Sequence, residues 1–134
     1  MPAVNRRTVS DEIRDRLLDQ LPVPVEVGER TVEPPCIVVH PITGGTVSRF
    51  LDPRQSVNQG SLPYQLTCVG VSGSSGRDQC EQLAADAIDA LTDYRSEQVQ
   101  LVAVDSWGEA RPDRDEQPEV WVSAPMVRVT VDTA

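Results

Sequence analysis

Few residues in this chain are of the types that carry out chemistry. His40 is the one histidine, and it stands beside Pro41 at the end of the apolar run Cys36-Ile-Val-Val-His40. A general base must reach the proton it removes, and no serine or cysteine neighbours His40 in sequence as a nucleophile. The cysteines, at 36, 68 and 80, form no even disulfide framework and no CxxC pair, so they are read as single buried thiols. Gly44-Gly45 lacks the rest of a phosphate-binding loop: there is no GxxxxGK[ST] and no GxGxxG, and the chain has no lysine. Nor does it hold GxSxG, HExxH or a DxDxDG calcium loop. Asp78, Glu81, Asp86, Asp89 and Asp93 pair carboxylates at helical spacing, but on the outer face of a helix they are solvated charges. The expectation is a binding protein with no catalytic residues, no cofactor and no metal.

The elements that must present such a surface are legible from periodicity. Val9, Ile13, Leu17 and Leu21, with Leu18 beside them, form the stripe of a first helix. Thr8 and Asp11 fit a capping box at its start, Pro22 and Pro24 stop it, and Arg14, Asp15, Arg16 and Asp19 cover its outer face. Residues 23–32 alternate like a short, partly exposed strand, and 36–40 read as a buried strand ended by Pro41. The segment 43–61 is rich in turn signals (Gly44-Gly45, Asp52-Pro53, Asn58-Gln-Gly60) and is expected to project as a long loop or hairpin.

Residues 62–73 are the clearest strand, with Tyr64, Leu66 and Cys68 on one side, Gln65, Thr67 and Val69 on the other, and Gly70 at a bulge or close approach. A second helix follows, with Ser75 and Asp78 as its capping box. Cys80, Leu83, Ala84, Ala87, Ile88 and Leu91 match the helical template without a miss. Residues 99–107 alternate again. Residues 120–131 form a Val-rich strand interrupted by Pro125, which marks an edge or a bulge. Between them, 108–119 is charged and poor in apolar residues, a solvated hairpin loop; deleting 109–118 is expected to spare folding and weaken assembly.

This order of elements predicts one α+β domain over 1–134: a four- to five-stranded, mainly antiparallel or mixed sheet, two amphipathic helices on one face, and long projecting loops. Apolar surface left on the other face favours a closed oligomer. No apolar run approaches the ~20 residues of a bilayer span and no leader precedes a cleavage site, so a cytosolic protein is expected.

The net charge of −9 argues against a nucleic-acid wrapper. It is unevenly placed. Residues 1–77 hold 8 acidic and 8 basic groups, residues 78–119 hold 12 and 3, and residues 120–134 one of each. All 12 basic residues are arginine. A balanced, Arg-bearing surface (Arg49, Arg54, Arg77) would therefore face an acidic one, and such complementarity fixes orientation.

Taken in order, Pro35-Cys-Ile-Val-Val-His-Pro41, Gly44-Gly45, Asp52-Pro53, Leu62-Pro-Tyr-Gln-Leu-Thr-Cys-Val-Gly70 and the helix RDQCEQLAADAIDAL resemble the tail-terminator (tail-completion) proteins of long-tailed bacteriophages, particularly those infecting GC-rich actinobacteria. The resemblance spans nearly the whole chain and departs from the family pattern at Gly73-Ser-Ser-Gly76. It implies a virion protein, assembled in the host cytoplasm and located at the head-proximal end of the tail. It further implies a self-partnered, six-fold ring on the tail tube protein, which stops tube growth and receives the head-completion protein while DNA passes through the lumen without specific binding. A neck or head-closure protein, or a tube-like subunit, is the alternative in the same setting; a small intracellular enzyme or ligand-binding domain is a third. The residues expected at partner or ring contacts are Arg49, Asp52, Arg54, Gln59, Arg77, Glu109, Arg111, Asp113, Arg114, Asp115 and Glu116.

Overall fold

A computed structural model describes residues 6–42, 46–48, 59–71, 75–113 and 120–132. Among these residues, two helices, α1 (Arg6–Gln20) and α2 (Gly76–Thr92), accompany eight strands: β1 (Val25–Val27), β2 (Cys36–Pro41), β3 (Thr46–Ser48), β4 (Gln59–Gly70), β5 (Val99–Ser106), β6 (Arg111–Asp113), β7 (Val120–Ser123) and β8 (Met126–Asp132). The fold is α+β with a mixed sheet: β1 runs parallel to β2, and the other pairings are antiparallel.

Eight strands exceed the four or five expected, yet they lie in five columns. The 12-residue β4 is the central one. β2 and β3 share one of its sides, and β7 and β8 share the other. β1 lies outside β2, while β6 and β5 lie outside β7 and β8. The extra strands come from ribbons that break and resume. β3 and the start of β4 lie within 43–61, which is therefore partly a paired hairpin. Arg111–Asp113 forms β6 against β7, so 108–119 is not loop throughout. Removing 109–118 would take β6 with it. Of the strand expected over 23–32, only Val25–Val27 pairs.

Pro125 lies where the outer column leaves pairing over Trp107–Ala110, a local edge as expected, yet the ribbon keeps step with β4. Cys68 lies opposite Ser123 and Gln65 opposite Met126, so the register against β4 is unchanged across Ala124-Pro125. At that rung the Leu66 N–H donates to the Pro125 carbonyl at 2.9 Å, and proline has no N–H to return. The Cys68 Sγ, 3.8 Å from the Leu66 carbonyl, offers it a weak donor.

Both helices pack on one face, α1 over β1 and β2, α2 over β4, β5 and β7. Val9, Ile13 and Leu17 of α1 and the apolar residues of α2 meet Ile37, Val39, Tyr64, Leu66, Cys68, Val127, Val129 and Val131 in the main core. All six residues of the expected α2 stripe are buried. Leu18, expected to widen the α1 stripe, instead points outward at 45% exposure. A second cluster, Cys36, Val69 and Val120, lies on the helix-free face with Val32 and Val122 against it. Val69 is thus buried from the side that alternation assigns to solvent.

Neither capping box forms. α1 begins at Arg6, so Thr8 is already inside the helix. Ser75 does stand at the N-cap of α2, but its φ of −81° and ψ of −14° are helical and its side chain makes no capping bond. A capping hydroxyl is aimed at the free amides by extended backbone, which Ser75 lacks.

Candidate functional site

Of the expected contact residues, Arg49, Asp52, Arg54, Arg114, Asp115 and Glu116 lie outside the described residues. Gln59 is the first residue of β4. Glu109, Arg111 and Asp113 are brought together. With Gly108, Pro112, Val122 and Ala124 they line a recess of about 430 Å³. Arg111 lies opposite Val122 and Asp113 opposite Val120, which puts both on the helix-free face. A smaller recess of about 160 Å³ shares Asp113 and Val122 and adds Arg30, Val38, His40, Thr67, Val69 and Val120. The two recesses adjoin at Asp113 and Val122, with valines and charged side chains together in their linings. Arg30 and His40 were not expected there, because the walls come from segments far apart in sequence.

Arg77 is elsewhere. It is exposed in the first turn of α2, on the opposite side of the sheet, where its Nε donates to Glu81 Oε1 at 3.4 Å, one helical turn on. Exposed pairs of this kind add little stability. The α2 carboxylates occupy the helix surface as expected: Asp78, Glu81, Asp89 and Asp93 are exposed and Asp86 half-buried, accepting from Gln82 Nε2 at 2.8 Å.

A third recess, of about 530 Å³, separates α1 from the turn after α2. Its wall is a clasp. The Tyr94 hydroxyl donates to Glu12 Oε1 at 2.6 Å, and the Arg16 guanidinium lies 5.4 Å from the Tyr94 ring centre. Arg16 Nε also donates to the Ala90 carbonyl at 2.9 Å. Burial, then the Glu12 carboxylate, pushes the Tyr94 phenol above its ordinary pKa. Arg16 therefore ties the two helices together instead of covering an outer face.

The cysteines are all buried and free. Burial raises each thiol: Cys36 upward, Cys80 to about 11, and Cys68 higher still. Cys80 Sγ donates to the Cys68 carbonyl at 3.2 Å. Thiolate is the reactive form, so a disulfide-exchange reagent at neutral pH should modify none of the three until the chain unfolds. The unfolded thiols lose protons near pH 9 while the folded ones keep theirs. The thiols' contribution to stability is therefore fully present below about pH 9 and should decline as pH rises from 9 towards 11. Denaturant midpoints across that range, compared with a Cys80→Ala chain, check the sign.

Among the described residues, no three His, Cys, Asp or Glu side chains are grouped to hold a metal ion. No helix among them is long and apolar enough to cross a membrane. Neither a protein-family model nor a curated protein matches this chain.

Proposed function

We propose that this chain is a structural subunit of a bacteriophage tail, a terminator that forms a ring, six-fold by the family resemblance, on the finished tube and joins it to the head-completion protein. The order of sequence motifs motivates the reading. The observation that carries it furthest is the distribution of charge along the chain: the acidic excess belongs to α2, whose carboxylates occupy the helix surface, and to the sequence that follows it, while the rest is balanced. A subunit carrying such an acidic excess can line a passage through which DNA moves without adhering, because phosphate binding needs clustered cations. The ring works by shape and contact and needs no catalytic residue. The segments 43–61 and 108–119 are the proposed contacts with tube and neck. They include Arg49, Asp52, Arg54, Arg114, Asp115 and Glu116.

The test mixes purified protein with tubes growing from the tail tube subunit. Electron microscopy should find rings at tube ends, and tube length should stop increasing. Tubes that keep lengthening with bare ends would sink the reading. Incorporation along the tube wall would instead identify a tube-like subunit.

A further inference from the structure

Large apolar side chains exposed among the described residues number three: Leu18, Leu101 and Trp107. They sit at opposite ends of the column order. Leu18 belongs to α1, which covers the β1 edge; Leu101 and Trp107 belong to β5 and the residue just beyond it, the far edge, whose outer side no strand covers among the described residues. Arg16 reaches α2 from α1. Two residues on, Leu18 is turned by about 200° and so points away from α2, at the flank of the molecule. Arg14 lies one helical turn before Leu18 on that flank. Trp107, 62% exposed, stands between Asp105 and Glu109, both exposed. An exposed indole in a stretch that carries exposed carboxylates two residues to either side along the chain suits a guanidinium, and Arg14 beside the exposed Leu18 supplies one together with apolar surface.

We infer that the Arg14–Leu18 flank of α1 docks on the Asp105–Trp107–Glu109 edge of a second copy of this chain. It rests on the ring reading only for the identity of the partner. The two surfaces are different, so the contact runs head to tail, the arrangement that closes into rings when its rotation permits. Arg14 now pairs with Asp11 at 3.5 Å and Asp15 at 3.2 Å, and Asp105 with Arg128 at 3.2 Å. These ion pairs are solvent-exposed and little is lost on exchanging them for partners across an interface.

Two linked experiments test the surface in the full chain. In the first, Leu18→Cys and Trp107→Cys are combined and treated with a short bis-maleimide; the native thiols are buried and do not compete. A ladder of linked copies is expected. The two single variants should link when mixed and not when alone. Linking of either one alone as readily as the mixture, or no ladder, overturns the inference. In the second, Arg14→Glu or Glu109→Arg should each weaken self-association at least about tenfold, the scale of a well-placed interface residue. Their 1:1 mixture, and the chain carrying both, should recover it, since every junction regains opposite charges. Failure of the recovery also overturns the inference. Loss of the ladder with tube capping intact would leave the ring reading standing. A ladder with no effect on tube length would do the converse.

Discussion

Gly76→Ala is expected to lower the thermal midpoint by roughly 10 °C or more. A Cβ at Gly76 would fall 1.8 Å from the Val71 carbonyl oxygen and 2.7 Å from the Trp121 ring. The first obstacle is backbone, which cannot rotate away as a side chain can. The contact is part of a mutual approach: a Cβ at Gly70, the last residue of β4, would lie 2.4 Å from the Gly76 carbonyl oxygen. β4 and the first turn of α2 are therefore pressed together through two bare α-carbons. Overpacking a close-packed site costs about 1–3 kcal/mol and more where nothing yields. At about 4 °C per kcal/mol for a domain of this size, 3 kcal/mol gives the stated shift. Gly28→Ala is the control. Its φ of +89° disfavours a side chain but nothing lies within 4 Å, so a loss of about 1 kcal/mol is expected. Calorimetry on the two variants checks the contrast; equal midpoints would contradict the close approach.

The second large effect is at Tyr64. It is fully buried, and its hydroxyl lies 3.0 Å from Ser10 Oγ, itself 97% buried on α1. This hydrogen bond ties α1 to the central strand across a gap that apolar side chains otherwise fill. Tyr64→Ala removes a large side chain from the middle of the core and should cost about 3–5 kcal/mol. Tyr64→Phe keeps the ring and should cost about 1 kcal/mol, the worth of a net hydrogen bond. A double-mutant cycle with Ser10→Ala, read by urea unfolding, should give a coupling of about 1 kcal/mol between the two positions. Additive losses would mean the hydroxyls do not interact.

Much of the frame was readable from the amino-acid order because each long element carries its own periodic signal. α2 buries every residue of its stripe, and Tyr64, Leu66 and Cys68 face the core as their alternation requires. What was not readable depends on partners. A strand of three residues, such as β3 or β6, has no period of its own; its neighbour makes it a strand. Val69 is buried because the connection bearing Val32 folds over the helix-free face, which no local pattern around Val69 reports. Caps failed for a different reason: Ser75 has the right side chain, but its backbone is already helical, and residue type alone does not report backbone angles. At the candidate site, charge counts pointed to the region of Glu109, Arg111 and Asp113. His40 entered only through sheet pairing across the β2, β4 and β7 columns, and Arg30 only through the connection between β1 and β2. Leu18 departs from the α1 stripe: a helical wheel shows an apolar neighbour without showing which flank is covered.

The outer ribbon and its inner neighbour are unequal in length. Val99 lies opposite Val131 and Asp113 opposite Val120, so the path through β5 and β6 holds three more residues than the path through β7 and β8. Slips within β5, beside Val99 and Val104, and the excursion over Trp107–Ala110 take up the excess. Each such irregularity bends and twists a strand. A bent margin cannot lie flush along a straight foreign strand, so main-chain pairing with successive molecules is interrupted after a few residues. The margin, which no strand covers among the described residues, thereby offers no template for endless fibre growth, and any lasting association there must be specified by side chains.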